Sequence, residues 1–244
     1  MKNKILHDLN FKKLLGYPND FHPRNRYDNP IFCDRFCVEC EESGTLAEAG
    51  GKLTRMSHGC DSDDFEKVLE SPLICSSDAV KIPIMFLLED PGGDCYLGEK
   101  ITYRGVEKEP PVKHYYWSPS VKAWPHSIAD VKDRYGSYFA YIMQKHSLAN
   151  VYITNLVKCK RVDVQKPWLV EEKCVSHFLR MEIEEFSPRA IFCFSWKVFN
   201  SVTPKFPELN HVYLRHPAAR MSRENLVKEN DKLISEALGK LKTA

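Results

Sequence analysis

Ile82-Pro83-Ile84-Met85-Phe86-Leu87-Leu88, followed at once by Glu89-Asp90-Pro91-Gly92-Gly93, is the stretch on which the fold turns. The apolar run has no polar alternation. That is the pattern of a strand buried on both faces, as in parallel sheets covered by helices, and turn-forming residues bound it on the carboxyl side. Three similar runs follow, at Val151 to Val157, Ala190 to Phe194 and His211 to Leu214. Helical periodicity fills the intervals at about Ile128 to His146 and Trp168 to Phe186. Strands alternating with helices predict an α/β three-layer sandwich with a central, mainly parallel four-stranded sheet.

Outward from this core the sequence is less regular. Ser222 to Leu241 places Leu226, Leu233, Ile234 and Leu238 on one face and reads as a capped amphipathic terminal helix. Lys2 to Gly16 is weakly helical, and Tyr17 to Pro30 is rich in Pro, Asn, Asp and Arg, as in an extended connection. Glu41 to Ser77 is polar and reads as loop, with a short helix near Asp63 to Leu69. Gly98 to Trp124 interleaves aromatic residues with Lys and Pro, as a substrate-facing loop or an irregular cover would. The expectation is a single domain over 1–244, with an N-terminal segment at 1–80 and the α/β core at 81–244.

Composition narrows the class without naming a partner. Lys+Arg 35 nearly cancels Asp+Glu 33, leaving a formal charge of +2, so a nucleic-acid face must come from local clusters. Two such clusters stand out: Lys158, Lys160 and Arg161 around Cys159, and Arg215, Arg220 and Arg223 around His216-Pro217. Met1 to Leu15 alternates charged and apolar residues and carries no apolar core of a signal peptide, so a cytoplasmic protein without membrane contact is expected, nucleoid-associated in use if its partner is DNA. Nine cysteines in a reducing compartment point away from a disulfide framework and towards metal ligation or simple burial.

In open α/β sheets ligands bind beyond the carboxyl ends of the strands. Those ends carry Glu89-Asp90-Pro91-Gly92, Asn155 and His216-Pro217. A carboxylate there can orient water, an amide can read the edge of a base, and a histidine can stabilise negative charge on a leaving group.

Leu88-Glu89-Asp90-Pro91-Gly92, Val151 through Cys159 and His216-Pro217-Ala218 together resemble, in order and strand context, successive motifs of the uracil-DNA glycosylase superfamily, most nearly its iron–sulfur branch. The resemblance implies a monofunctional DNA glycosylase that flips a uracil or a C5-modified pyrimidine out of DNA and leaves an abasic site, in repair or in defence against phage DNA. It implies that Asp90 positions water, with Glu89 assisting or holding its loop, that Asn155 reads the base, and that His216 stabilises the leaving pyrimidine. Asp90 stands where the iron–sulfur branch usually has a small residue. Gly92 and Gly93 leave room where some members carry a bulky aromatic, and Tyr96 or Tyr103 is the candidate replacement for the family's stacking phenylalanine. Arg220 occupies the place of the wedge residue, with Lys158, Lys160, Arg161 and Arg223 as candidate backbone contacts.

The resemblance also implies a 4Fe-4S cluster on Cys37, Cys40, Cys159 and Cys174, for which structural zinc is the alternative. Cys60, Cys75, Cys95 and Cys193 read as small buried hydrophobes. Cys33, Cys37 and Cys40 also have the spacing of a radical S-adenosylmethionine enzyme, which would need a (β/α) barrel. A catalytically weak DNA- or protein-binding module is the remaining alternative.

Overall fold

The computed structural model describes residues 48–50, 52–56, 60–61, 80, 82–89, 101–103, 106–108, 136–157, 159–162 and 164–243. Nine strands lie among them: β1 (Lys52–Met56), β2 (Cys60–Asp61), β3 (Ile84–Leu88), β4 (Ile101–Tyr103), β5 (Val106–Lys108), β6 (Val151–Asn155), β7 (Cys159–Val162), β8 (Ala190–Cys193) and β9 (Asn210–Tyr213). The helices are α1 (Gly136–Lys145), α2 (Pro167–Cys174), α3 (Arg180–Phe186), α4 (Trp196–Val202) and α5 (Arg223–Thr243), and a π turn at Val175–Leu179 joins α2 to α3.

The central sheet has the order β2-β6-β3-β8-β9. Its four longer strands are parallel, and the two-residue β2 pairs antiparallel with the β6 edge. This is the mainly parallel four-stranded sheet expected from the apolar runs. Every residue of β3, β6 and β8 is buried, which explains why those runs lack alternation.

The two faces of the sheet feed two separate cores. Ile84, Phe86 and Leu88 of β3 point to one side, with Val151, Ile153, Ala190 and Phe192, and are covered by α1 and α5. Met85 and Leu87 point to the other, with Tyr152, Ile191 and Cys193, and are covered by α2, the π turn and α4. On the α1/α5 side Phe86 lies 5.2 to 5.8 Å from the rings of Phe139, Phe192 and Phe194.

Several local expectations change. The interval 52–61, read as loop, contains β1 and β2, and β1 pairs antiparallel with β7 across Lys52↔Val162 and Met56↔Cys159. Cys159, Lys160 and Arg161 of the basic cluster after the Asn155 strand are therefore part of a strand. The helix expected over Trp168 to Phe186 forms from Pro167, because proline at the first helical turn gives up no needed N–H. It runs through the π turn and ends where Ser187 adopts a left-handed conformation at φ 50° before Pro188. The helix α4 was not expected: only seven residues long and rich in aromatic and β-branched residues, it depends on Ser195, whose hydroxyl accepts the Val198 N–H at 3.1 Å. The expected helices at Lys2 to Gly16 and Asp63 to Leu69 lie outside the described residues. Among the described residues no helix is long and apolar enough to cross a membrane.

Candidate functional site

The chain runs from β3 to the neighbouring β6, then returns across β3 to β8 and on to β9, so its strand order reverses between β3 and β8. In such sheets the crevice outside the carboxyl ends at this reversal is where ligands bind. The ladder closes tightly around it. Beyond the strands, Leu156 N–H donates to Leu88 O at 2.7 Å, Val157 N–H to Glu89 O at 2.8 Å and Phe194 N–H to Leu87 O at 2.9 Å. On the far side Leu214 N–H donates to Cys193 O at 2.8 Å. The residues that leave the strands therefore start from fixed backbone positions.

Glu89 and Asn155 leave adjacent strands, since Leu88 and Asn155 are partners in the β3/β6 register. Asn155 is only 1% exposed. A primary amide held at that depth must have its polar atoms met, and its place at the sheet's carboxyl end suits it to a polar ligand edge. Glu89 is half-buried and forms an ion pair with Lys197 of α4, which also lies 3.9 Å from Glu171 of α2. Lys197 thus links the helix that follows β8 to the end of β3 and to α2.

His216 follows β9 in a tight turn. The Ala218 N–H donates to His216 Nδ1 at 3.1 Å, and the Ala219 N–H donates to His216 O at 2.9 Å. A backbone amide can only donate, so Nδ1 must present its lone pair and the ring proton resides on Nε2. The geometry therefore fixes a neutral tautomer with one N–H donor, the form suited to meeting negative charge that develops on an oxygen.

Of the other expected site residues, Arg220 and Arg223 are exposed on the chain segment that carries His216 into α5. Lys160 and Arg161 lie on β7. Asp90, Gly92, Gly93, Tyr96 and Lys158 lie outside the described residues. Two residues that the strand-end reading missed are Lys197 and Asn230. Lys197 was hidden because α4 was, and Asn230 because it interrupts the apolar stripe of a helix instead of ending a strand.

The 4Fe-4S expectation on Cys37, Cys40, Cys159 and Cys174 is corrected. Among the described residues no group of three or more His, Cys, Asp or Glu side chains could hold a metal ion. Cys174 is fully buried in the apolar core with Val170 and Phe178, four residues to either side on the same helical face. There it fills space as a small hydrophobe. Cys193, read as such a hydrophobe, is fully buried on β8, and burial pushes its thiol pKa up. Cys37 and Cys40 lie outside the described residues, as does Cys33. The radical-enzyme reading also loses its scaffold, because among the described residues the sheet is open, with edges at β2 and β9.

Asn155, Glu89 and His216 thus lie beyond the carboxyl ends of an open α/β sheet, on either side of its strand-order reversal. Residues 77–242 match the family model of the Uracil DNA glycosylase superfamily, and the chain belongs to that superfamily. Among curated proteins none matches the sequence closely enough to count as a relative.

Proposed function

We propose that the protein is a monofunctional DNA glycosylase that hydrolyses the N-glycosidic bond of a flipped uracil or C5-modified pyrimidine. The observation that carries the reading is His216, whose turn leaves a single N–H donor beyond the end of β9. As the bond between the sugar C1′ and the base N1 breaks, its electron pair moves into the base and charge accumulates on O2. The His216 Nε2–H donates to that oxygen, and this bond strengthens as the charge grows. Water adds to C1′ from the opposite side and its proton passes to the Asp90 carboxylate, which also supports the cationic sugar. Glu89, tied to Lys197, holds the loop that carries Asp90.

Asn155 hydrogen-bonds the Watson–Crick edge of the extruded base, and its amide can serve either a uracil-like or a cytosine-like donor order. Gly92 and Gly93 leave space beside C5, and Tyr96 stacks on the base. Arg220 fills the gap in the duplex, while Lys158, Lys160, Arg161 and Arg223 meet the phosphates. The whole chain acts as one domain.

The test is abasic-site formation on matched oligonucleotides bearing uracil, thymine opposite guanine, or bulky C5-modified cytosine. Release of at least one base, lowered about 10²–10³-fold by His216→Ala and more deeply by Asp90→Ala, is expected. Binding to these DNAs with no release from any of them would overturn the enzyme reading in favour of a binding module.

A further inference from the structure

We infer that Asn230 is a positioning residue for His216, acting through the backbone of Arg215; the inference rests on the glycosylase reading above. Asn230 lies on α5 in the row Leu226, Asn230, Ile234, Leu238, at steps of four residues, and is fully buried with its neighbours in the α1/α5 core. A leucine there would continue the apolar stripe. A buried amide is tolerated only where its hydrogen bonds are made, and the bonds made here show what the residue does.

The Arg215 N–H donates to Asn230 Oδ1 at 2.8 Å, and Asn230 Nδ2 donates to Arg215 O at 3.0 Å and to the Tyr138 hydroxyl at 2.6 Å. The last backbone bond of the β8/β9 side is Leu214 N–H to Cys193 O. Arg215 is the next residue, the first beyond the ladder. Asn230 offers it an acceptor and a donor, as a neighbouring strand would, and so extends the sheet's hold by one residue. The residue after it is His216. The side chain of Arg215 is also tethered, to Glu229 at 2.9 Å, but that pair is exposed and worth little. The amide therefore sets the course of the backbone into the His216 turn, and with it the Ala218 N–H contact that fixes the ring tautomer.

The experiment pairs a rate measurement with a spectroscopic one. In single-turnover assays on the best substrate, Asn230→Ala is expected to slow base release roughly tenfold to a hundredfold, the scale of a small misplacement of a reacting group. Affinity for the DNA should stay within about twofold. In the His216→Ala background the same substitution should have almost no further effect, because its influence runs through the imidazole. Tyr138→Phe removes another Asn230 contact and leaves both Arg215 bonds, so it should lower stability and spare the rate.

Ring nitrogen spectra of protein labelled with ¹⁵N-histidine, with His216 assigned by its loss in His216→Ala, give a readout that needs no turnover. A fixed Nε2–H pattern in the wild type that averages in Asn230→Ala supports the inference. An unchanged pattern, or a rate loss that is additive with His216→Ala, overturns it. If wild-type protein releases no base but the ring pattern still shifts, the glycosylase reading fails and the positioning role stands. Should Asn230→Ala not fold, Asn230→Asp carries the same test, since it keeps the acceptor for Arg215 N–H and loses the donor to its carbonyl.

Discussion

Among the described residues, each helical layer of the sandwich holds one fully buried amide or carboxylate, Asn230 or Glu182, and the two are used differently. In the α1/α5 layer Asn230 turns its amide towards the backbone that leads into His216. In the opposite layer Glu182 of α3, also fully buried, accepts from the Tyr152 hydroxyl at 3.0 Å and from the Thr154 hydroxyl at 3.1 Å to each carboxylate oxygen. These two donors belong to β6, inside the sheet. The first bond set reaches a loop at the candidate site, whereas the second ties a helix to a strand that the ladder already fixes. Burial and satisfaction are alike in the two cases, and the partner decides whether a buried polar group serves geometry at the site or only the packing of layers.

The largest expected effect tests the apolar background of the α1/α5 layer, in which Asn230 sits. Phe86→Ala removes the ring that touches Phe139, Phe192 and Phe194, and should destabilise the protein by about 3–5 kcal/mol in urea denaturation. Glu182→Ala comes next. It removes a buried acceptor from the hydroxyls of Tyr152 and Thr154 and should cost about 2–4 kcal/mol, with Glu182→Gln milder because an amide oxygen still accepts. Turnover per folded molecule should be unchanged in both variants. A Glu182→Ala protein that folds but turns over as slowly as Asn230→Ala would erase the distinction between the layers.

A smaller effect sharpens a second contrast, between the two ends of the sheet. Far from the strand-end site, where α1 gives way to β6, the Asp231 carboxylate of α5 pairs with Lys145 and lies 2.9 Å from His146 Nε2. Burial alone would raise the Asp231 pKa, but the hydrogen bonds from His146 and Lys145 outweigh it and hold the carboxyl below its ordinary value. A carboxyl lowered in the folded state binds its proton more readily when unfolded. Its stabilisation is therefore complete above the unfolded value, near pH 4, and is lost as pH falls through the folded value. Asp231→Asn should flatten that acid limb of a pH–stability curve and leave the pH dependence of base release unmoved. An acid limb as steep as the wild type's would assign it to other carboxylates.

The sheet was legible because its strands are buried on both faces, so their apolar runs survive without any tertiary information. The strand-end positions Glu89, Asn155 and His216 were legible for the same reason: once the strands are placed, their carboxyl ends follow. The ribbon β1/β7 was not, because Lys52–Met56 and Cys159–Val162 are short and mixed in polarity and depend on each other across a long sequence separation. Cys174 misled because a thiol at a suggestive spacing looks like a ligand, whereas the Val170, Cys174, Phe178 row already marked a helical core face. Asn230 carried a signal that could have been read, a lone amide inside an apolar stripe, but its partner lies on a loop that no helical periodicity identifies.

The smallest effect bears on which carboxylate at the end of β3 handles water. Lys197 is half-exposed, and its ion pair with Glu89 should contribute only about 0.2–1 kcal/mol, so Lys197→Ala should be nearly silent in thermal melts. Its catalytic effect separates the two acids. If Glu89 only anchors the loop and Asp90 holds water, releasing the anchor lets the loop sample more positions and base release should fall within about threefold. If Glu89 itself holds water, removing its cation leaves the carboxylate without the charge that orients it, and the rate should fall towards that of Glu89→Ala. The comparison of Lys197→Ala with Glu89→Ala and Asp90→Ala is thus decisive even though the first changes stability least. Losses within about threefold in both of the first two, with a far deeper loss in Asp90→Ala, assign Glu89 and Lys197 to the support of the loop and leave the water to Asp90.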